Sequence, residues 1–260
     1  MALSVDEVYV VSGNLLSAMP KLVDPGVFED FANSNLLCQL AADKNQGARF
    51  VDPPAWLDFY RNALGKVFWR IISSGTVSFN IPPLVRSITI KEVLEKTFYK
   101  TLDHEVALQF DDSIERLEEQ SEASDAARLY RAKTQVTYKS DVSDSAARPH
   151  PISSINLQVS VVQGGDKISV CSVYFTTLAD IESDVFNQKF LVSQLRGNVS
   201  VSSFDAKLLE SSYAGIRQSV IEKLGPENIR ENIIPVSTEV CSLAGPRHAG
   251  AKRFIQELEI

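Results

Sequence analysis

The side chains best suited to nucleophilic, acid–base or metal chemistry are three cysteines, Cys38, Cys171 and Cys241, and three histidines, His104, His150 and His248. A zinc site gathers such residues at close spacing, yet the cysteines stand far apart with no CxxC pair, and no second histidine follows His104 at i+4. His150 lies between Pro149 and Pro151, and His248 in a glycine-containing loop. A reactive thiol needs a cationic or helix-terminal setting that lowers its pKa. Cys171 sits in the alternating segment "KISVCSVYF", where its expected neighbours Gln158, Ser169 and Val173 are uncharged, while Cys241 stands nearer Arg247 and His248. The readings open for these thiols are ordinary packing or a lipidated or reactive group, with Cys241 the better placed of the two for reactivity. Cys38 falls on the apolar face of a helical segment and reads as core.

No G-x-S-x-G elbow, Walker loop or G-x-G-x-x-G occurs, so hydrolase, nucleotide and dinucleotide chemistry have no local support. The Gly164-Gly165 pair joins two strand-like segments and opens no helix, which favours a turn over a phosphate cradle. Arg247, His248, Lys252 and Arg253 form a basic loop suited to solvent, a carboxylate or a headgroup, and "NVS" at Asn198 has the form of a glycosylation sequon without a signal peptide to use it.

The elements that would hold these residues follow from periodicity. "DPGVFEDFANSNLLCQLAADKNQG" and "DPPAWLDFYRNALGKVFWRIISSG" both open with Asp-Pro, a helix cap followed by proline at the first helical position. In the second, Trp56, Tyr60, Leu64, Val67, Phe68 and Ile71 form an apolar stripe that predicts a helix through residue 71. Thr89 and Glu92 make a capping box for a helix carrying Ile90, Val93, Leu94, Phe98, Leu102 and Val106. Residues 111–125 hold seven acidic side chains against Arg116 and read as a solvated helix or an acidic connector.

From about residue 130 the period changes to two. "RAKTQVTYKS", "FNQKFLVSQL", "NVSVSS" and "NIIPVSTEVCSL" are expected strands, with a turn at Gly197-Asn198. A two-residue turn at Gly164-Gly165 would pair Gln163 with Asp166, Val161 with Ile168 and Val159 with Val170, and place Gln158 opposite Cys171. "SFDAKLLESSYAGIRQSVIEKLGP" predicts a helix over 204–224.

The formal charge of -7 disfavours duplex nucleic acid as a partner, because binding it requires a basic stripe. The first thirty residues lack the basic and long apolar regions of a secretory signal, and no run is long enough for a transmembrane helix. The expectation is a cytoplasmically made chain with reduced thiols. No metal or cofactor is expected from the motifs, and homo-oligomerisation stays open.

The order "INLQVSVVQGGDKISVCSVYFTT" then "FNQKFLVSQLRGNVSVSSFDAKLLESSYAGIRQSV" resembles the carboxyl half of the Cyt-type cytolysins, α/β membrane-active toxins in which helical layers wrap a sheet of long strands. It is also similar to the Evf-like bacterial virulence factors, α/β proteins associated with insect hosts in which a cysteine carries a fatty acyl chain. The resemblance covers about residues 155–224. It implies a membrane or lipid partner, and a covalently bound fatty acid on Cys171 or Cys241. Together these readings predict one α/β (α+β) domain over 1–260: a mainly helical region over 1–128, then a mostly antiparallel sheet region over 129–260 with the 204–224 helix. The expected function is a non-enzymatic, virulence or toxin-like action at host membranes after release. An S-acylated virulence factor, a soluble interaction module and an enzyme of unrecognised type are the alternatives.

Overall fold

A computed structural model describes residues 3–138, 151–164 and 166–236. The chain opens with a hairpin, β1 (Val8–Val11) and β2 (Asn14–Ala18), followed by α1 (Pro25–Gln46), α2 (Pro53–Lys66) and strand β3 (Trp69–Ser78). A two-residue strand β4 (Ser87–Ile88) leads to α3 (Ile90–Thr97), α4 (His104–Glu118), α5 (Asp125–Thr134) and the short β5 (Gln135–Tyr138). Three long strands then dominate: β6 (Ile152–Gln163), β7 (Lys167–Thr177) and, after β8 (Phe190–Leu191), β9 (Leu195–Leu208). Helices α6 (Glu210–Ala214) and α7 (Arg217–Asn232) and strand β10 (Ile233–Val236) complete the described chain.

The caps that begin these helices act as their chemistry requires. The Asp24 carboxylate accepts from the Gly26 amide, the Asp52 carboxylate from the Ala55 amide, and Thr89 and Glu92 satisfy each other's backbone amides across the first turn of α3. Each removes orphan donors where the following proline, or the buried apolar side of the helix, leaves few other partners.

Among the described residues the main sheet has eight strands in the order β10-β1-β2-β6-β7-β9-β3, with β5 paired to the other end of β6. All these pairs are antiparallel except β2 with β6. Helices cover both faces. Tyr9, Leu16, Val162, Val170 and Phe204 face Phe28, Phe31, Trp56, Tyr60 and Val220 of α1, α2 and α7 in one core. Leu15, Leu157, Val159, Val173 and Phe175 face Val93, Leu94, Phe110, Ile114 and Tyr130 of α3, α4 and α5 in the other. The result is a helix–sheet–helix sandwich, the α/β class with a mostly antiparallel sheet.

Several local expectations change. Helix α2 stops at Lys66, because Phe68 takes a positive φ of 66° and turns the chain into β3. The stripe through Val67, Phe68 and Ile71 therefore mixes the end of a helix with the start of a strand. Strands β1, β2 and β3 come from the first 128 residues, so the sheet draws on the region expected to be mainly helical. The capping-box helix divides into α3 and α4, and residues 111–118 are helical, with Ile114 and Leu117 buried. Residues up to Thr134 remain helical before β5 begins. Residues 204–208 belong to β9, and the helix expected over 204–224 is instead α6 and α7. Gly225, at φ 72°, kinks α7, and Pro226 begins its second half. Of "FNQKFLVSQL", Phe190–Leu191 and Leu195 are strand, and Gly197 sits within β9 at φ 76° rather than in a two-residue turn.

Candidate functional site

The element carrying Cys171 is an antiparallel meander, β6-β7-β9. Its hairpin register differs from expectation by one residue: Gln163 pairs with Lys167, Val162 with Ile168, Val159 with Cys171 and Gln158 with Ser172. Asp166 adopts a φ of 63° and joins the loop as a third residue, so the turn is longer than a glycine pair alone would make it. A one-residue slip exchanges the faces of the partner strand. The observed register sorts the residues more sharply than the expected one.

One face of the meander presents Ile155, Leu157, Val159 and Val161 from β6, Cys171, Val173 and Phe175 from β7, and Val199 and Val201 from β9. All are buried beneath α3, α4, α5 and the segment carrying Phe186 and Phe190. The Phe175 and Phe190 rings meet edge to face at 4.9 Å, and Tyr130 stacks on Phe186 at 6.1 Å. The apolar band gives way to polar groups at the hairpin end: the Ser169 hydroxyl donates to Asp205, Gln163 Nε2 donates to Ser169 at 2.6 Å, and Lys167 lies 3.4 Å from Asp205.

The opposite face is polar through its middle. Asn14 and Ser160 exchange hydrogen bonds at 2.7 and 2.9 Å, Gln158 Nε2 donates to the Ser172 hydroxyl at 3.1 Å, and Thr76 and Ser202 share one at 2.8 Å. Asn156 Nδ2 reaches across to the Arg49 carbonyl at 2.8 Å. The Arg49 guanidinium is itself buried. It donates to Gln39 Oε1 at 2.6 Å and to the Gly13 carbonyl at 3.4 Å, and stacks on the Trp56 ring at 4.4 Å. Desolvation lowers its pKa to about 10, which leaves it charged at neutral pH. A Cβ at Gly13 would stand 2.2 Å from the Arg49 guanidinium, so a larger residue there would have to displace it from this position. Beside this seam a cleft of about 350 Å³ opens between α2 and the strands, with Asn156, Ser172, Ser202 and Thr76 on its floor and Trp56 and Leu57 on its wall.

Among the described residues the expected chemical side chains, Cys38, Cys171 and His104, are not brought together. Cys171 is fully buried among apolar side chains, and burial pushes its thiol pKa up, so the group stays protonated. Cys38 is likewise buried and raised. His104 is exposed at the first turn of α4. Cys241, His150, His248 and the basic loop of Arg247, Lys252 and Arg253 lie outside the described residues. Among the described residues no group of three or more His, Cys, Asp or Glu side chains is placed to hold a metal ion. Sequence reasoning missed Arg49 and the amides that hold it, because a lone arginine in a "GARF" loop carries no periodic signal. It also missed Glu118, one carboxylate among seven in an acidic run. Burial, followed by the nearby Asp184 carboxylate, raises the Glu118 pKa to about 8, and its Oε1 is buried without a partner.

No family model matches the chain, and no curated protein matches it. Among solved structures, that of the Evf virulence factor shows a weak likeness over 88% of this chain and 85% of that chain, at a TM-score of 0.33 and 10% identity.

Proposed function

We propose that the protein acts at membranes without catalysing a reaction, and that the β6-β7-β9 meander is the part that enters lipid once the α3-α4-α5 layer moves away. The observation that supports this reading is the apolar face that the meander forms in the observed register, opposite a face that is polar through its middle and apolar at the hairpin end, where Val162, Ile168, Val170 and Phe204 lie. A sheet that crosses a bilayer must pair its backbone within itself, present apolar side chains to lipid and keep polar ones on the other side. The strands are 12, 11 and 14 residues long, against the roughly 9–11 that a tilted crossing strand needs. On β6 the apolar run from Ile155 to Val161 is about 20 Å along the strand, or roughly 15 Å of height at the ~40° tilt of barrel strands, against the ~25 Å band of outer-membrane barrels. Among the described residues no helix is long and apolar enough to cross a membrane, so strands are the elements available for the task.

Two features count against chemistry at the same place. The polar middle of the opposite face offers neutral amides and hydroxyls, with Gln158 Nε2 bound to Ser172 and Ser160 to Asn14 while Gln158 Oε1 is buried without a partner, and the Cys171 thiol is held protonated on the apolar face. Cys171 then serves as a small apolar packing residue opposite Val159, in lipid as in the folded chain. Dye release from vesicles, combined with proteolysis and mass mapping, tests the proposal. Leakage is expected, with residues 152–208 protected in the vesicle-bound form and residues 90–134 newly cleavable. Vesicles that neither bind the protein nor leak, from acid to alkaline pH, overturn the reading. So does leakage during which residues 90–134 stay as protected as in solution.

A further inference from the structure

We infer that β3 is a docking edge for a second copy of this chain, paired antiparallel across a two-fold axis so that the two sheets run on as one. Among the described residues β3 ends the sheet: β9 is its partner on one side, and residues 72–78 are exposed, with Ile72 and Val77 each about half accessible (53% and 52%). An open strand edge templates pairing with another strand, and isolated domains blunt such edges with lysine, proline, a bulge, short length or a cover. β3 is ten residues long, and no charged residue lies between Arg70 and Arg86. Its bulge, between Ile71 and Ser73, is confined to the start, and from Ser73 to Ser78 the ladder to β9 is regular. The first proline after it, Pro82, lies beyond the strand.

The opposite edge of the sheet shows the contrast. β10 is four residues long, contains Pro235 and carries α5 and α7 packed against it. A head-to-tail contact between β3 and β10 would place that proline in the new ladder, where it cannot donate a hydrogen bond. The same patch on both subunits avoids this and closes the assembly at two. With the axis at Gly75, Ser74 meets Thr76, Ser73 meets Val77 and Ile72 meets Ser78; with the axis at Thr76, Ser74 meets Ser78 and Gly75 meets Val77. Every such pair is neutral, so the strand meets its own copy without like-charge repulsion.

The inference is independent of membrane action: a dimer that leaves vesicles intact overturns that reading and not this one. Sedimentation of the full chain across the micromolar range is expected to give twice the 28.7 kDa chain mass. The double substitution Ser74→Lys and Val77→Lys, at exposed positions and checked for folding by circular dichroism, is expected to give a monomer. In a Cys241→Ser background, Gly75→Cys or Thr76→Cys is expected to form a disulfide-linked dimer on mild oxidation, while Lys223→Cys on exposed α7 does not. Gly75 suits the experiment because a Cβ there meets no atom within 4 Å. A monomer at every concentration overturns the inference, as does a dimer that survives both lysines or one whose copies fail to cross-link through β3.

Discussion

At the scale of single residues, Glu118 is the group most out of register with its type. It closes α4 against the turn that Asp184 caps, where the Asn187 amide donates to Asp184 Oδ1 at 3.1 Å. Burial is the larger cause of its raised pKa and the Asp184 charge the next; Lys91 and Asn187 act the other way. The folded pKa of about 8 lies above the ordinary 4.5, so the folded state holds this proton more tightly than the unfolded chain does. Stability from this group is therefore fully present below about pH 4.5 and is lost as pH rises through about 8. Because Glu118 is partly solvated, the loss is expected to be on the order of 1–2 kcal/mol, well short of what the full shift would give. Glu118→Gln is expected to flatten that slope and to raise the thermal midpoint at alkaline pH while leaving it nearly unchanged in acid, as read by thermal unfolding across pH.

What could be read at this scale from the sequence followed chemistry that is local. Asp24, Asp52 and Thr89 were recognisable as caps because a side chain and an amide two or three residues on decide the matter. The burial of Glu118 and Arg49 depends on partners 66 residues away in one case and, through the Asn156 side chain, 107 in the other. No window of neighbouring residues contains that information.

At the scale of elements, boundaries were harder to read than identities. Val67, Phe68 and Ile71 continue the spacing of α2, yet they bridge into a strand, because the positive φ at Phe68 is set by tertiary packing and not by that residue's preference. The strand β9 and the helix after it ran together for the same reason: Phe204 and Leu208 are apolar at positions that suit either period. In the β6-β7 hairpin the alternation of both strands was plain, but the loop length was not. The position that fixes the register is Asp166, whose left-handed conformation costs an L-residue about 1 kcal/mol relative to glycine. Asp166→Gly is accordingly expected to stabilise the protein by roughly 0.5 kcal/mol, the relief being partly offset by the looser unfolded chain, and to leave the register unchanged. Chemical denaturation reads the first outcome, and a cross-link between cysteines at Gln163 and Lys167 reads the second.

For the whole molecule, the class was readable from the change of period near residue 130, because amphipathic helices and half-buried strands write different repeats. The sharing of strands was not, since β1 and β2 are short and their pairing with β10 and β6 joins opposite ends of the chain. That sharing has a measurable result. Each core draws side chains from both halves of the chain: Phe31 and Trp56 pack with Val170 and Phe204 in one, and Phe110 and Ile114 with Val159 and Val173 in the other. A protein nicked between residues 119 and 124 is expected to elute as one particle and to melt in a single transition, and neither fragment made alone is expected to show a cooperative melt.

The position of β1 also sets a clock on the protein's birth. Val8–Val11 lie between β2 and β10, and β2 in turn lies against Gln158–Val162, so the β1-β2 hairpin, once it leaves the ribosome, has to wait for a strand some 140 residues later and another at residues 233–236. At about 5–20 residues per second that wait is roughly ten seconds to the better part of a minute. Through it the apolar faces of β1 and β2 have no sheet to join, and the chain is a client for whatever holds nascent polypeptides in a soluble form. The sheet closes only once residues 233–236 have emerged, so β6, β7 and β9 are all made before the strand that completes the other edge is available.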